Sequence, residues 1–131
     1  MFEGFKTINL AVGYPNLSIT KNGVTFNKAS VMKLGKPAMV KLMINEAEKQ
    51  IAIQVADESD ENATPFVKGE KKFLNVRWNY KDFVYSLAQM MEWDLEKDGY
   101  KVVGEYFSNE EALLFDLKQA SKLTSDDEEK K

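Results

Sequence analysis

The chain has 131 residues, a formal charge of −3 from 18 basic and 21 acidic side chains, and 44% hydrophobic and 11% aromatic residues, enough for one core of ordinary size. It contains no cysteine and no histidine, which excludes disulfides, thiolate metal sites and catalytic sets of the Ser-His-Asp and Cys-His kinds. No apolar run approaches the roughly 18 residues that cross a bilayer, and the N-terminus lacks the charged-then-apolar order of a secretory signal, so the expectation is a soluble, cytoplasmic chain with no membrane partner.

In chain order, the first element is a hairpin. Leu17-Ser-Ile-Thr20 and Val24-Thr-Phe26 flank Asn22-Gly23, the dipeptide that supplies two positive φ values to a tight turn. This turn predicts Thr20 opposite Thr25 and Ile19 opposite Phe26, with Leu17, Ile19, Val24 and Phe26 on one face. Asn27 is read as the cap of a short helix that turns Val31 and Leu34 inward and stops at Gly35 and Pro37. Val40, Leu42 and Ile44 alternate, Glu46 to Lys49 turn, and Ile51, Ile53 and Val55 return in the same alternation.

An acidic connector, Asp57 to Thr64, leads to the same order again. Leu74, Val76 and Trp78 are strand positions, and Asn79 takes the capping place that Asn27 holds earlier. Phe83, Val84, Leu87, Met90 and Met91 form the apolar stripe of a longer helix that ends before Asp98-Gly99. A second hairpin runs from Val102 to Phe107 and from Leu113 to Leu117. Phe26-Asn27 matches Trp78-Asn79 at a spacing of 52 residues, and Ile51, Ile53 and Val55 match Leu113, Phe115 and Leu117 at 62. The sequence therefore predicts an α+β fold: two strand-helix-hairpin repeats, at about residues 17–56 and 72–118, forming one mostly antiparallel sheet or barrel-like core. Residues 1–123 form the single domain of this reading, and residues 124–131 a disordered acidic tail.

The first unit carries a family resemblance. Gly23-Val-Thr-Phe-Asn-Lys28, Leu34-Gly35-Lys-Pro37 and the hairpin ending at Val55 resemble the swapped-hairpin modules of the AbrB, SpoVT and MraZ type. This chain departs from them with Asn27 where the family has proline, and with Val31, Met32 and Lys33 where it has helix arginines. The resemblance implies a DNA-binding regulator whose two copies interleave, and an internal repeat lets one chain form that pair.

The remaining chemistry points away from catalysis. Glu110-Glu111 and Asp94-Glu96 are the available carboxylate pairs, and Glu110-Glu111 falls at a predicted hairpin tip, where the two are read as solvated turn residues. Asp57 to Glu61 begins like a calcium loop, but Asn62 and Lys68 stand at the places that need glycine and glutamate. No phosphate-binding glycine loop is present, and no cofactor or metal is expected.

Charge is strongly segregated. Between Glu3 and Glu46 the chain has six lysines and no carboxylate. Lys21, Lys28, Lys33, Lys36 and Lys41 surround the first turn and helix, and Lys68, Lys71, Lys72, Arg77 and Lys81 gather at the start of the second unit, with Tyr80 as a candidate for base stacking. Trp78 is expected in the core, and Met90, Met91 and Trp93 as core or interface filling. These eleven positions, ten cations and Tyr80, are the candidate DNA-binding residues of a non-enzymatic regulatory module for duplex DNA. The alternative is a protein-protein interaction adaptor or homodimer that binds no nucleic acid, with the lysines as solvated faces.

Overall fold

The computed structural model describes residues 3–4, 14–68 and 75–123. In chain order the elements are β1 (Asn16–Thr20), β2 (Gly23–Phe26), α1 (Lys28–Lys33), β3 (Met39–Asn45), β4 (Gln50–Val55), β5 (Ala63–Pro65), β6 (Val76–Trp78), α2 (Lys81–Met91), β7 (Tyr100–Phe107), β8 (Ala112–Asp116), a 3-10 turn (Leu117–Gln119) and β9 (Ser121–Lys122). Over the described residues the fold is α+β, one mostly antiparallel sheet curled into a half-barrel with two helices. Strands follow one another across it in the order β5-β3-β4-β8-β7-β1-β2-β6.

β7 joins the two parts of this sheet. Its first half pairs with β1, Leu17 opposite Val102, and its second half pairs with β8, Tyr106 opposite Leu113. Gly104 sits at the change of partner: its N–H bonds to Pro15 O at 2.9 Å, and a Cβ there would lie 2.7 Å from the buried Phe115 ring. β9 continues along the edge of β7 begun by β8, after the 3-10 turn has inserted three residues. The curl brings the outermost strands together, where Trp78 Nε1 donates to Pro65 O at 3.2 Å.

Alternating positions fill the concave side. Leu17, Ile19, Val24, Phe26, Val76, Trp78, Ile51, Ile53, Leu113 and Phe115 are buried in one cluster with Val31 and Leu34 of and after α1 and Val84 and Leu87 of α2. Phe26 is at its centre, 4.9 Å from Trp78, 5.4 Å from Phe66 and 5.9 Å from Phe115 between ring centroids. Met90, Met91 and Trp93 are half-buried against the same cluster.

Several expectations need correction. The first hairpin turns on Lys21-Asn22, so Thr20 pairs with Gly23 and Ile19 with Val24. Gly23 is used for close approach: at φ 149 its missing side chain leaves room for the backbone of β6, and a Cβ would lie 2.5 Å from Trp78 O. The shift is two residues, so the inward set is unchanged. Asn79 is not a cap; Tyr80 occupies that position without a side-chain hydrogen bond, whereas Asn27 Oδ1 accepts from Ser30 N at 3.0 Å as expected. The connector is not all coil, because Ala63–Pro65 pairs with Met39–Lys41. Leu117 leaves the strand for the 3-10 turn, and Ile44, near the hairpin tip, is exposed. Lys71, Lys72, Leu74 and the acidic tail lie outside the described residues.

Candidate nucleic-acid interface

β2 and β6 form the spine of the site. They are antiparallel, with Thr25 directly opposite Arg77, and both side chains point away from a core that takes their buried neighbours Val24, Phe26, Val76 and Trp78. Following the pairing outward, the convex face carries Arg77, Thr25, Ser18, Lys101 and Ser121 in one row across five strands. Polar residues with short hydroxyls between two cations suit an anion. Ser18 is itself nearly buried, which leaves Thr25 and the two cations as the reachable part of the row.

A helix begins at each end of this strand pair. β2 runs into α1 and β6 into α2, so the antiparallel pairing sends the two starts in opposite directions. Lys28 opens α1 and Lys81 opens α2; both are exposed, and neither has an ion-pair partner among the described residues. At the α2 end, Gly23 abuts the backbone of Trp78 and Asn79. An open cleft of about 350 Å³ is lined by Thr20, Lys21, Asn22, Thr25 and Arg77 on one side and by Leu95, Glu96, Lys97, Asp98 and Gly99 on the other. Among the described residues the Arg77 guanidinium reaches only Asn22 O, at 3.5 Å, which leaves most of its five donors without a partner there.

The expected site residues do not all gather. Lys21 and Arg77 line the cleft, Tyr80 and Lys81 follow β6 at the α2 end of the strand pair, and Lys28 stands at the other end. Lys33, the last residue of α1, lies over the Tyr106 ring at 5.3 Å. Lys41 is on β3, bonded to Asp60 at 3.3 Å. Lys36 is exposed just after α1, with φ 55, and Lys68 is exposed beyond β5. Lys71 and Lys72 lie outside the described residues. Acids also border the cleft, since Lys21 pairs with Glu96 at 3.5 Å and Asp98 with Lys122 at 3.5 Å. Both pairs are largely solvated and contribute little attraction.

Sequence reasoning missed Thr25, Lys97, Lys101 and Tyr14. The polar alternation of Ser18, Thr20 and Thr25 within the first hairpin was a signal for the convex row; placing Lys101 in it required the register with β7. Tyr14 precedes β1 and is fixed by Asn27 Nδ2, which donates to Tyr14 O at 2.9 Å. Among the described residues no cluster of acidic side chains is arranged to hold a metal ion, and no helix is long and apolar enough to cross a membrane. Comparison with protein-family models, with curated proteins and with solved structures finds no match.

Proposed function

We propose that this chain is a non-enzymatic, cytoplasmic, DNA-associated regulatory module that binds duplex DNA by its phosphate backbone, along the β2–β6 strand pair. The observation that carries this reading is a set of exposed cations around the strand pair, Arg77 on its convex face and Lys28 and Lys81 at the helix starts beyond its two ends, free of carboxylate partners among the described residues, with Lys21 and Lys97 beside Glu96 and Asp98 in the adjoining cleft. A lysine-rich contact with one arginine is equipped for backbone affinity more than for reading base edges.

The pairing also supports the duplicated unit and, with it, the swapped-hairpin resemblance. Thr25 and Arg77, 52 residues apart, stand opposite each other, as do Ala52 and Leu114, 62 apart. β1 pairs with β7 and β5 with β3, so the strand before β2-α1-β3-β4 lies against the β7–β8 hairpin and the strand before β6-α2-β7-β8 lies against the β3–β4 hairpin. A local two-fold axis through these opposed pairs makes one chain equivalent to an interleaved dimer. Under that axis Lys28 and Lys81 sit at related helix starts.

Charge neutralisation tests the reading. Lys28→Gln, Arg77→Gln and Lys81→Gln together should weaken duplex binding at low salt and flatten its salt dependence by about 0.9 units of slope for each phosphate no longer neutralised. Thermal stability should stay within about 0.5 kcal/mol, because all three side chains are exposed. Unchanged affinity in the folded triple variant excludes this face.

The adaptor reading has one observation in its favour. On the convex side of the other part of the sheet, Met43, Ala52 and Leu114 form a cross-strand row, and Ala112 and Phe107 lie beside it. Met43 and Phe107 are each 39% exposed. A protein contact there is compatible with DNA contact on β2–β6, since the two surfaces belong to different strands.

A further inference from the structure

The cleft between the β1–β2 turn and residues 95–99 has two chemically different walls. On the first, Thr20, Thr25 and Arg77 share the convex face: Thr25 stands opposite Arg77 on β6 and opposite Ser18 on β1, two residues before Thr20. Contact with Asn22 O places the Arg77 guanidinium at this wall. The Thr25 hydroxyl has no partner among the described residues, and Thr20 Oγ1 accepts from Asn22 N at 3.2 Å, which leaves its own hydrogen to donate. The second wall carries two carboxylates, Glu96 and Asp98, with Lys97 between them in sequence. Each carboxylate already has a lysine, Lys21 for Glu96 and Lys122 for Asp98, both at 3.5 Å. Arg77 and Lys97 are the cleft cations left without an acidic partner among the described residues.

A dianion matches the two unpartnered cations, and a planar guanidinium beside hydroxyl donors suits the oxygens of a phosphate. The carboxylates of the second wall repel a bare anion but accept hydrogen bonds from hydroxyl groups. A DNA backbone brings no hydroxyl to that wall. Among the described residues Leu95 is the one large apolar side chain that lines the cleft, and no aromatic ring does, so a nucleobase finds no cover there. We propose that the cleft binds a small hydroxylated phosphate monoester, a sugar phosphate, with its phosphate on Arg77, Thr25 and Lys97 and its hydroxyls on Glu96 and Asp98. The volume of about 350 Å³ falls at the small end of ligand sites, as such a compact molecule requires. This site goes beyond the nucleic-acid reading and does not depend on it.

Amide chemical-shift titration of the full chain at low salt tests this, with ribose 5-phosphate and inorganic phosphate as probes. Ribose 5-phosphate should shift the amides of Asn22, Thr25, Arg77 and Lys97 and bind at least about fivefold more tightly than phosphate, the margin of one hydroxyl hydrogen bond. Arg77→Gln should lower ribose 5-phosphate affinity about tenfold or more, and Thr25→Val about threefold. Arg77→Lys should fall between Arg77→Gln and the unmodified chain, because it keeps the charge and loses the fork. Glu96→Gln should narrow the preference for ribose 5-phosphate over phosphate, since a charged acceptor for hydroxyls is lost while Lys21 is released to attract either anion. Melting curves report whether each variant is folded. Equal affinity for the two probes means an unselective anion site and overturns the inference. Shifts confined to other parts of the chain, no binding of ribose 5-phosphate up to about 10 mM, or undiminished affinity in folded Arg77→Gln also overturn it. No nucleic acid enters the measurement, so each of these failures leaves the DNA reading standing.

Discussion

Asn27 and Asn79 look alike in sequence and do different work. Asn27 Oδ1 accepts from Ser30 N and Asn16 N, both at 3.0 Å, and Nδ2 donates to Tyr14 O, so one side chain starts α1 and ties it to β1. Asn79 is exposed and caps nothing. Asn27→Ala should therefore cost about 2 kcal/mol in denaturant unfolding, and Asn79→Ala less than about 0.5 kcal/mol. Equal effects would contradict this division. Asp60 makes a pH-dependent prediction at the same scale. The Asn62 N–H, at 2.9 Å from its carboxylate, and the Lys41 ammonium together hold its pKa below the ordinary 3.8. A lowered folded-state pKa contributes stability above the unfolded value and loses it as pH falls through the folded one. The stability deficit of Asp60→Asn should thus be present above pH 3.8 and shrink on acidification below it, measured by denaturant midpoints across pH. A deficit that grows on acidification would contradict the assignment.

At the scale of elements, strong alternation was legible and short pairings were not. The hairpins β3–β4 and β7–β8 and the striped helix α2 follow from apolar periodicity, because the face that meets the core must recur every second or every third to fourth residue. β5 escaped notice because Ala63-Thr-Pro65 is three residues long, ends in proline and has no apolar alternation; its pairing depends on where β3 already lies. The first turn was misplaced because Asn22-Gly23 is a strong local hairpin signal, while the demand that set the register came from β6, distant in sequence. The same non-local cause hid half of the site: the lysines at the helix starts could be read directly, but the convex row joining Arg77 to Lys101 exists only through three strand pairings. Gly23→Ala tests the close approach, and it should lower stability by about 2 kcal/mol or more through contact with Trp78 O and an unfavourable φ. A neutral substitution would mean that β2 and β6 separate without cost.

For the whole molecule, an acidic chain with net charge −3 presents cations selectively rather than abundantly. The carboxylates of the 46–61 region bind at least one lysine away from the proposed face, Lys41 through Asp60, while Lys28, Arg77 and Lys81 keep no acidic partner among the described residues. Long-range repulsion from the net charge is screened within about 10 Å at 0.1 M salt, so local cations decide contact with a phosphate backbone. Duplex DNA affinity of the unmodified chain, followed by fluorescence anisotropy across a salt series, measures this directly. Binding is expected at low salt, with a linear fall of log affinity against log salt and a slope of about −3 or steeper for contacts by Lys28, Arg77 and Lys81. Absence of duplex binding at the lowest salt, or binding that salt does not weaken, would contradict the DNA reading.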